Sequence, residues 1–288
     1  MSLSPYSQAA LEPQRGSRPD IRLVMVDIDG TITGAANTVS PRVRQALRQA
    51  KQQGVYVGIA TGRMYRSALR FHHEIAANMP ICAYQGAMIK DPATDKMYKH
   101  WSLNLEVAQQ LLAALDTYPL IAHIYVDDQL YVRDWNPLSL GYAERSQVPI
   151  HLLSDLGSEL TLEPTKVLAM TEDTDLILEL LGSLRQQFPA DLMYLTRSVP
   201  TFLEATHPQV NKGNAVKYLA EEVLGLRPEQ VMTIGDSDND VEMLAYAGLG
   251  VAMGNASAEV QAYADWVAPS VDEDGVAVAL ETFVLKEK

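Results

Sequence analysis

Residues 23 to 31 read Leu-Val-Met-Val-Asp-Ile-Asp-Gly-Thr, an apolar run that stops at two carboxylates one residue apart with Gly and Thr behind them. A short unbroken apolar run reads as a strand buried on both faces, and such strands belong to parallel sheets covered by helices on either side. That restricts the chain to an α/β architecture. Ligands of open parallel sheets bind beyond the carboxyl ends of the strands. Asp27 therefore closes its strand where chemistry can happen, and Asp29 follows it into the loop. A carboxylate there can be a nucleophile, a metal ligand or a proton carrier. Taken alone, the stretch fits a plain turn equally well, because Asp and Gly are turn residues.

The pattern recurs. Residues 231 to 240 read Val-Met-Thr-Ile-Gly-Asp-Ser-Asp-Asn-Asp, which places Asp236, Asp238 and Asp240 at the end of a second apolar strand. Acids are also favoured at a helix N-terminus, and a helix is expected to begin near Asp240. A calcium loop is a third reading, but it needs Gly and Glu where this chain has Val241 and Ala247. Two acid-tipped strands facing one crevice repel each other unless a cation lies between them, and Mg²⁺ suits one or two carboxylates plus a phosphate. A third strand, Val55 to Ala60, ends in Thr61-Gly62-Arg63 before a helical stretch. A hydroxyl and free N–H groups at a helix N-terminus can hold an anion, although Thr is also a common N-cap. Asn211-Lys212-Gly213 opens a helical stretch over 214–224, where a lone Lys could equally be surface decoration.

The order of the pieces narrows these alternatives. Asp-x-Asp-Gly-Thr, a strand-terminal Thr, Lys before a helix and Gly-Asp-x-x-Asn-Asp follow one another along the chain. In this the sequence resembles the haloacid dehalogenase superfamily of phosphohydrolases, and most closely its Cof-type (subfamily IIB) branch of sugar-phosphate phosphatases, over residues 20–280. The resemblance implies a Rossmann-like parallel-sheet α/β core with an inserted α+β cap of the C2 type. It also implies a role at each matching position. Asp27 matches the nucleophile that forms an aspartyl-phosphate, and Asp29 the general acid/base. Thr61, Gly62, Lys212 and Asn239 match groups that bind the phosphoryl oxygens. Asp27, Asp236 and the backbone carbonyl of Asp29 match the Mg²⁺ ligands, with Gly30, Thr31 and Asp240 in support. One position departs from the family pattern: Gln85 stands before Gly86 where Asn is more usual.

Between Asp27 and Thr61 the chain has room for one helix and one strand. Ser40-Pro41 marks an N-cap with Pro at the first helical position, Val43, Ala46, Leu47 and Ala50 form one apolar face, and Gly54 ends the helix. The stretch from Thr61 to Lys212 is far longer than a crossover needs, so the insertion lies there. The expected division is a leader over 1–20, a core of 21–86 plus 198–288, and a cap of 87–197. Within the insertion the pattern predicts a hairpin (87–102), a helix (104–117), strands at 121–126 and 130–133, a less regular stretch, a strand (165–171), a helix (174–187) and strands at 191–196 and 201–206. Arg63, Arg66, Arg133, Lys166, Arg197 and His207 are candidates for substrate choice, or else solvated surface groups. Tyr125, Tyr131 and Trp135 could stack on a substrate, with sheet packing as the default.

Lys and Arg number 23 against 36 Asp and Glu, a net charge of −13. Such a chain repels nucleic acid and anionic membrane surfaces, so the expected partner is a small phosphorylated metabolite held by local charge. Hydrophobic residues make up 47%, enough for a sizeable core, yet no apolar stretch is long enough for a membrane span. The first twenty residues lack the apolar core of a secretory signal, and a cytoplasmic enzyme is expected. The one cysteine, Cys82, lies in an apolar strand and reads as a buried small hydrophobe. Two other functions fit parts of the pattern. A phosphomutase would pass the phosphoryl group to a sugar hydroxyl and would need a basic cap. A phospho-aspartate receiver would be a single smaller domain with no use for Asp29.

Overall fold

The computed structural model describes residues 19–286, so the expected leader lies outside the described residues except for its last two positions. A five-stranded, wholly parallel sheet has the order Tyr56–Ile59, Leu23–Val26, Val231–Gly235, Leu249–Ala252, Trp266–Val267. The Leu23–Val26 strand sits inside it and is buried at every position. Its side chains alternate between two packing layers. Val24 and Val26 meet Val43, Leu47 and Ala50 of the Pro41–Gln52 helix and Ala277 and Leu280 of the Gly275–Phe283 helix. Leu23 and Met25 meet Ala215, Val216 and Leu219 on the opposite face. Each such burial contributes roughly 1.5–3 kcal/mol, which explains why the strand tolerates no polar residue before Asp27. The Pro41–Gln52 helix starts as its sequence requires: Ser40 Oγ accepts from Val43 N–H at 3.2 Å and Pro41 takes the first position.

Beyond Tyr56–Ile59 the chain adds Ile81–Ala83 at the sheet edge, through a parallel bridge of Ala60 with Cys82. Ile81–Ala83 pairs with the hairpin Met88–Lys90/Met97–His100, and Ile89 packs with Met25 and Met79. Cys82 is wholly buried, and burial pushes its thiol pKa up, as suits an inert core residue.

A second, six-stranded sheet has the order Tyr194–Thr196, Phe202–Thr206, Lys166–Met170, Ile121–Val126, Gln129–Val132, Ile150–Leu152, antiparallel except for its last pair. Its two faces separate by the strand alternation. Ile124, Val126, Val167, Ala169, Leu203 and Ala205 pack under the helices Leu105–Leu115 and Thr174–Gln187. Tyr125, Leu130, Val132 and Leu168 pack toward the first sheet and Tyr84.

The boundaries differ from the expected ones at two places. The hairpin after residue 87 extends the first sheet, and the closing strand of the second sheet, Phe202–Thr206, lies past residue 197. Strand alternation is the same whichever sheet a strand joins, so the partner is a tertiary choice. The less regular stretch contains a helix, Pro137–Ser146, and the edge strand Ile150–Leu152. The helix begins with an Asn136 cap and Pro137, but Gly141 and its small residues leave it almost no apolar stripe.

Candidate active site

The crevice between the two sheets is a cavity of about 1190 Å³. Asp27, Asp29, Thr61, Gly62, Arg63, Asp236 and Asn239 line it from the first sheet's strand ends, and Tyr142, Arg145, Lys166, Arg197 and Phe202 line it from the insertion. Among the positions that the sequence singles out, Lys212, Asp240 and Thr31 lie just behind these, and together they form one connected cluster.

Asp27 leaves its strand with its N–H on Ile234 O at 3.0 Å, and its side chain is almost wholly buried. Lys212, at the first turn of the Lys212–Lys217 helix, places Nζ 2.8 Å from Asp27 Oδ1 and 2.7 Å from Asp240 Oδ1. The other oxygen of Asp240 accepts from the N–H groups of Asp236 (2.9 Å) and Ser237 (3.0 Å). Both of its oxygens are thus engaged, and Asp240 ties the Asp236 loop to the lysine. Asp236 receives Thr31 Oγ1 at 2.9 Å and Ser237 Oγ at 3.2 Å. Gly30 has φ +78°, and a Cβ there would lie 2.1 Å from Asp236 Oδ2, so only glycine lets the two loops meet.

One lysine faces two buried acids, Asp27 and Asp240, and the half-buried Asp236. Burial raises the pKa of Asp27 well above the usual carboxylate range; Lys212 opposes this, while Asp240, Asp236 and Asp29 add to it. Asp236 is pushed up to about 7, by burial first and then by Asp240. Burial alone would lower Lys212, but Asp240 and Asp27 outweigh it and hold the ammonium charged. Carboxylate oxygens of Asp27, Asp236 and Asp240 all lie within 4.8 Å of one another. Surplus negative charge on clustered oxygen donors is the environment that a hard divalent cation neutralises. Asp27 and Asp236 line the cavity whereas Asp240 lies behind it, so these two are the side chains placed to meet such an ion.

Asp29 is engaged differently. Arg63 grips it with Nε on Oδ2 at 2.7 Å and Nη2 on Oδ1 at 2.6 Å, and Arg145 adds Nη2 on Oδ1 at 3.2 Å. Burial acts to raise its pKa, but the hydrogen bonds and charge of Arg63, joined by Arg145, bring it below the ordinary value. Asn37 holds both arginines, accepting from Arg63 Nη2 at 2.7 Å and donating to Arg145 O at 2.8 Å. Thr61 N–H donates to Cys82 O, Thr61 O accepts from Gln85 N–H, and Thr61 Oγ1 lies 3.2 Å from Arg63 N–H.

A family model for haloacid dehalogenase-like hydrolases matches residues 24–280. The chain belongs to this family. It is a phosphoric monoester hydrolase of the haloacid dehalogenase type, with an α/β core and an inserted cap. YxeH of Bacillus subtilis is 30% identical over 272 residues, covering 92% of this chain and 98% of its own. YcsE of the same organism, a 5-amino-6-(5-phospho-D-ribitylamino)uracil phosphatase, is 30% identical over 266 residues, covering 92% and 97%. A haloacid dehalogenase-like hydrolase from Bacteroides thetaiotaomicron superposes with a TM-score of 0.79 at 29% identity, over 91% of this chain and 98% of that one. Among the described residues no helix is long and apolar enough to cross a membrane.

The residues proposed for substrate choice divide sharply. Arg63 and Arg197 line the cavity, Arg197 pairing with Asp238 at 2.7 Å. Arg66 instead clamps the second sheet through Asp128 and Gln129, Arg133 pairs with Asp116 on the surface, and His207 stacks on Trp101 with centroids 4.7 Å apart. Tyr125 is buried, Tyr131 packs near His151, and Trp135 is exposed away from the cavity lining. The sequence reading did not select Arg145, Asn37, Glu204 or Asn255. Asn255 Nδ2 reaches Gly30 O at 2.9 Å. None of these sits at a strand end or helix start that would have marked it.

Proposed function

We propose that the chain is a Mg²⁺-dependent phosphatase of small phosphate monoesters, working through an aspartyl-phosphate on Asp27. The observation that carries this reading is the joining of Asp27, Lys212 and Asp236 in one buried cluster at the floor of the cavity, with Asp29 on its rim. Asp27, Asp236 and the backbone carbonyl of Asp29 would hold the ion, which supplies positive charge against the phosphate dianion. In the first step an Asp27 carboxylate oxygen bonds to phosphorus, the bond from phosphorus to the ester oxygen breaks, and Asp29 gives its proton to that oxygen. In the second, Asp29 takes a proton from water as the water oxygen bonds to phosphorus and the bond to Asp27 breaks. Lys212, Thr61, the Gly62 N–H and Asn239 orient and neutralise the phosphoryl oxygens. Asp29 rests as a carboxylate gripped by Arg63 and Arg145, and an incoming phosphate competes for both guanidiniums, freeing it to take up the proton that the first step uses.

The relatives that act on a phosphorylated ribitylamino-uracil favour a phosphorylated sugar or polyol as substrate class. The other cap arginine that lines the cavity, Arg197, is already engaged by Asp238, which favours water over a second phosphorylated sugar as acceptor. The test is release of inorganic phosphate from a panel of phosphorylated sugars, polyols, nucleotides and cofactors, with MgCl₂ and with EDTA. Release that needs the metal is the expected result; release unaffected by EDTA overturns the metal role, and no release from any member overturns the phosphatase.

A further inference from the structure

One buried ion pair has no part in the two steps above. Lys166 and Glu204 lie on neighbouring strands of the cap sheet, 1% and 2% exposed, on the face turned toward the core. Lys166 Nζ is 3.1 Å from Glu204 Oε2 and donates to Gly62 O in the core at 2.8 Å. Glu204 Oε2 also accepts from Gln85 Nε2 at 3.0 Å, and Gln85 Oε1 accepts from Asn239 Nδ2 at 2.9 Å. A Cβ on Gly62 would come within 2.5 Å of Gln85 Nε2, so any side chain there would push the Gln85 amide from its place.

These contacts set the direction of two successive peptides. In a trans peptide the C=O and N–H point to opposite sides. Thr61 O is taken by Gln85 N–H and Gly62 O by Lys166. The N–H groups of the same two peptides, those of Gly62 and Arg63, are thereby turned the other way. Arg63 N–H donates to Thr61 Oγ1 at 3.2 Å, and Gly62 N–H has no hydrogen-bond partner among the described residues. Successive N–H groups so arranged form an anion-binding concavity, and both Thr61 and Gly62 line the cavity.

We propose that Lys166 and Glu204 are positioning residues for the phosphate pocket. From the cap, they hold the Thr61–Arg63 peptides with N–H groups toward the phosphate, and through Gln85 they orient Asn239. Phosphate binding by the core then depends on a docked cap. A buried ion pair adds little net stability, so orientation is the better physical account of its presence. Gln85 fits this role where Asn would not, because one fewer methylene shortens the reach by about 1.5 Å and its amide could not span Glu204 and Asn239.

The inference rests on the phosphatase reading, and the experiment separates the two. It compares wild type with the double variant Lys166→Met/Glu204→Gln, which removes both charges together, and with Gln85→Asn. The readouts are KM and kcat for p-nitrophenyl phosphate, and the rise in unfolding temperature produced by inorganic phosphate in MgCl₂. In the double variant, KM and the phosphate concentration giving half the thermal shift should rise by about tenfold, equivalent to about 1.4 kcal/mol, with a smaller fall in kcat; Gln85→Asn should follow in the same direction. Wild-type values in both variants overturn the proposal. Should the double variant not fold, Gln85→Asn decides alone. Should wild type hydrolyse no ester, the phosphatase reading fails by itself, and the phosphate-induced shift decides this one, weakened in the variants or unchanged.

Discussion

At the residue scale, Asp27 and Asp29 show how two carboxylates two positions apart acquire opposite environments. Asp27 is buried among acids with one lysine, and Asp29 is bracketed by two guanidiniums. Asp27→Asn keeps the shape and removes the nucleophile. We expect turnover to fall at least about a thousandfold, equivalent to about 4 kcal/mol of barrier, with the far-ultraviolet circular dichroism unchanged; appreciable residual phosphate release would refute the aspartyl-phosphate route. Asp29→Ala should slow both formation and breakdown of the intermediate by roughly 10²–10⁴, read by rapid-quench kinetics with ³²P-labelled substrate. These two residues were visible in the sequence because each stands at or just past the end of a recognisable strand. Arg145 was not, since its contact with Asp29 joins segments far apart in the chain.

At the element scale, one turn of the cap does the work of a helix cap in the core. The Tyr65–Glu74 helix follows Met64, which offers no capping side chain, and Asp128 at the Ile121–Val126/Gln129–Val132 turn accepts its Arg66 N–H at 3.0 Å. Asp128 also accepts from Tyr84 Oη at 2.7 Å. Loss of a cap and of one further hydrogen bond costs about 2 kcal/mol together, so Asp128→Ala should lower unfolding stability by about that amount in urea titrations; an unchanged midpoint would show that the turn does not brace the helix. The helix Pro137–Ser146 docks through Ser139, whose Oγ lies 2.8 Å from His123 Nε2. Burial pushes His123 down to about 3, with Lys166 adding to the shift. Its folded pKa lies below the unfolded value of about 6.5, so the unfolded chain takes up the proton first. This contribution is whole above pH 6.5 and is lost between there and pH 3, at about 1.4 kcal/mol per unit. His123→Gln should flatten the acid side of the stability curve relative to wild type; parallel curves would contradict this. The Pro137–Ser146 helix escaped sequence reading because its burial is shared with such polar contacts and not with an apolar stripe.

At the scale of the whole molecule, the proposed metal site would link folding to metal binding through the acid cluster. A ligand that binds only the folded state stabilises it by about 2.7 kcal/mol at a hundred times its dissociation constant. MgCl₂ should therefore raise the unfolding temperature, EDTA should reverse the rise, and Asp236→Asn should abolish it; a Mg²⁺ response that survives in Asp236→Asn would move the ion elsewhere. The two layers meet through Lys166 and Gly62, Asp128 and Arg66, and Arg197 and Asp238. The crevice is thus shaped by polar pairs that each draw one partner from either sheet.

The local sequence determined the parallel core, the presence of an insertion between Thr61 and Lys212 and the strand-end residues that line the cavity. Burial on both faces and strand-end acids leave a signature within a few consecutive positions. Tertiary structure alone decided which sheet the hairpin of 88–100 and the strand Phe202–Thr206 join, because alternation does not encode a partner. It also decided that Lys166 faces inward to Gly62 and Glu204, which no local pattern distinguishes from a solvated lysine. The contact with Gly62 joins residues 104 positions apart, and only closure of the cap sheet over the core brings them within hydrogen-bonding distance.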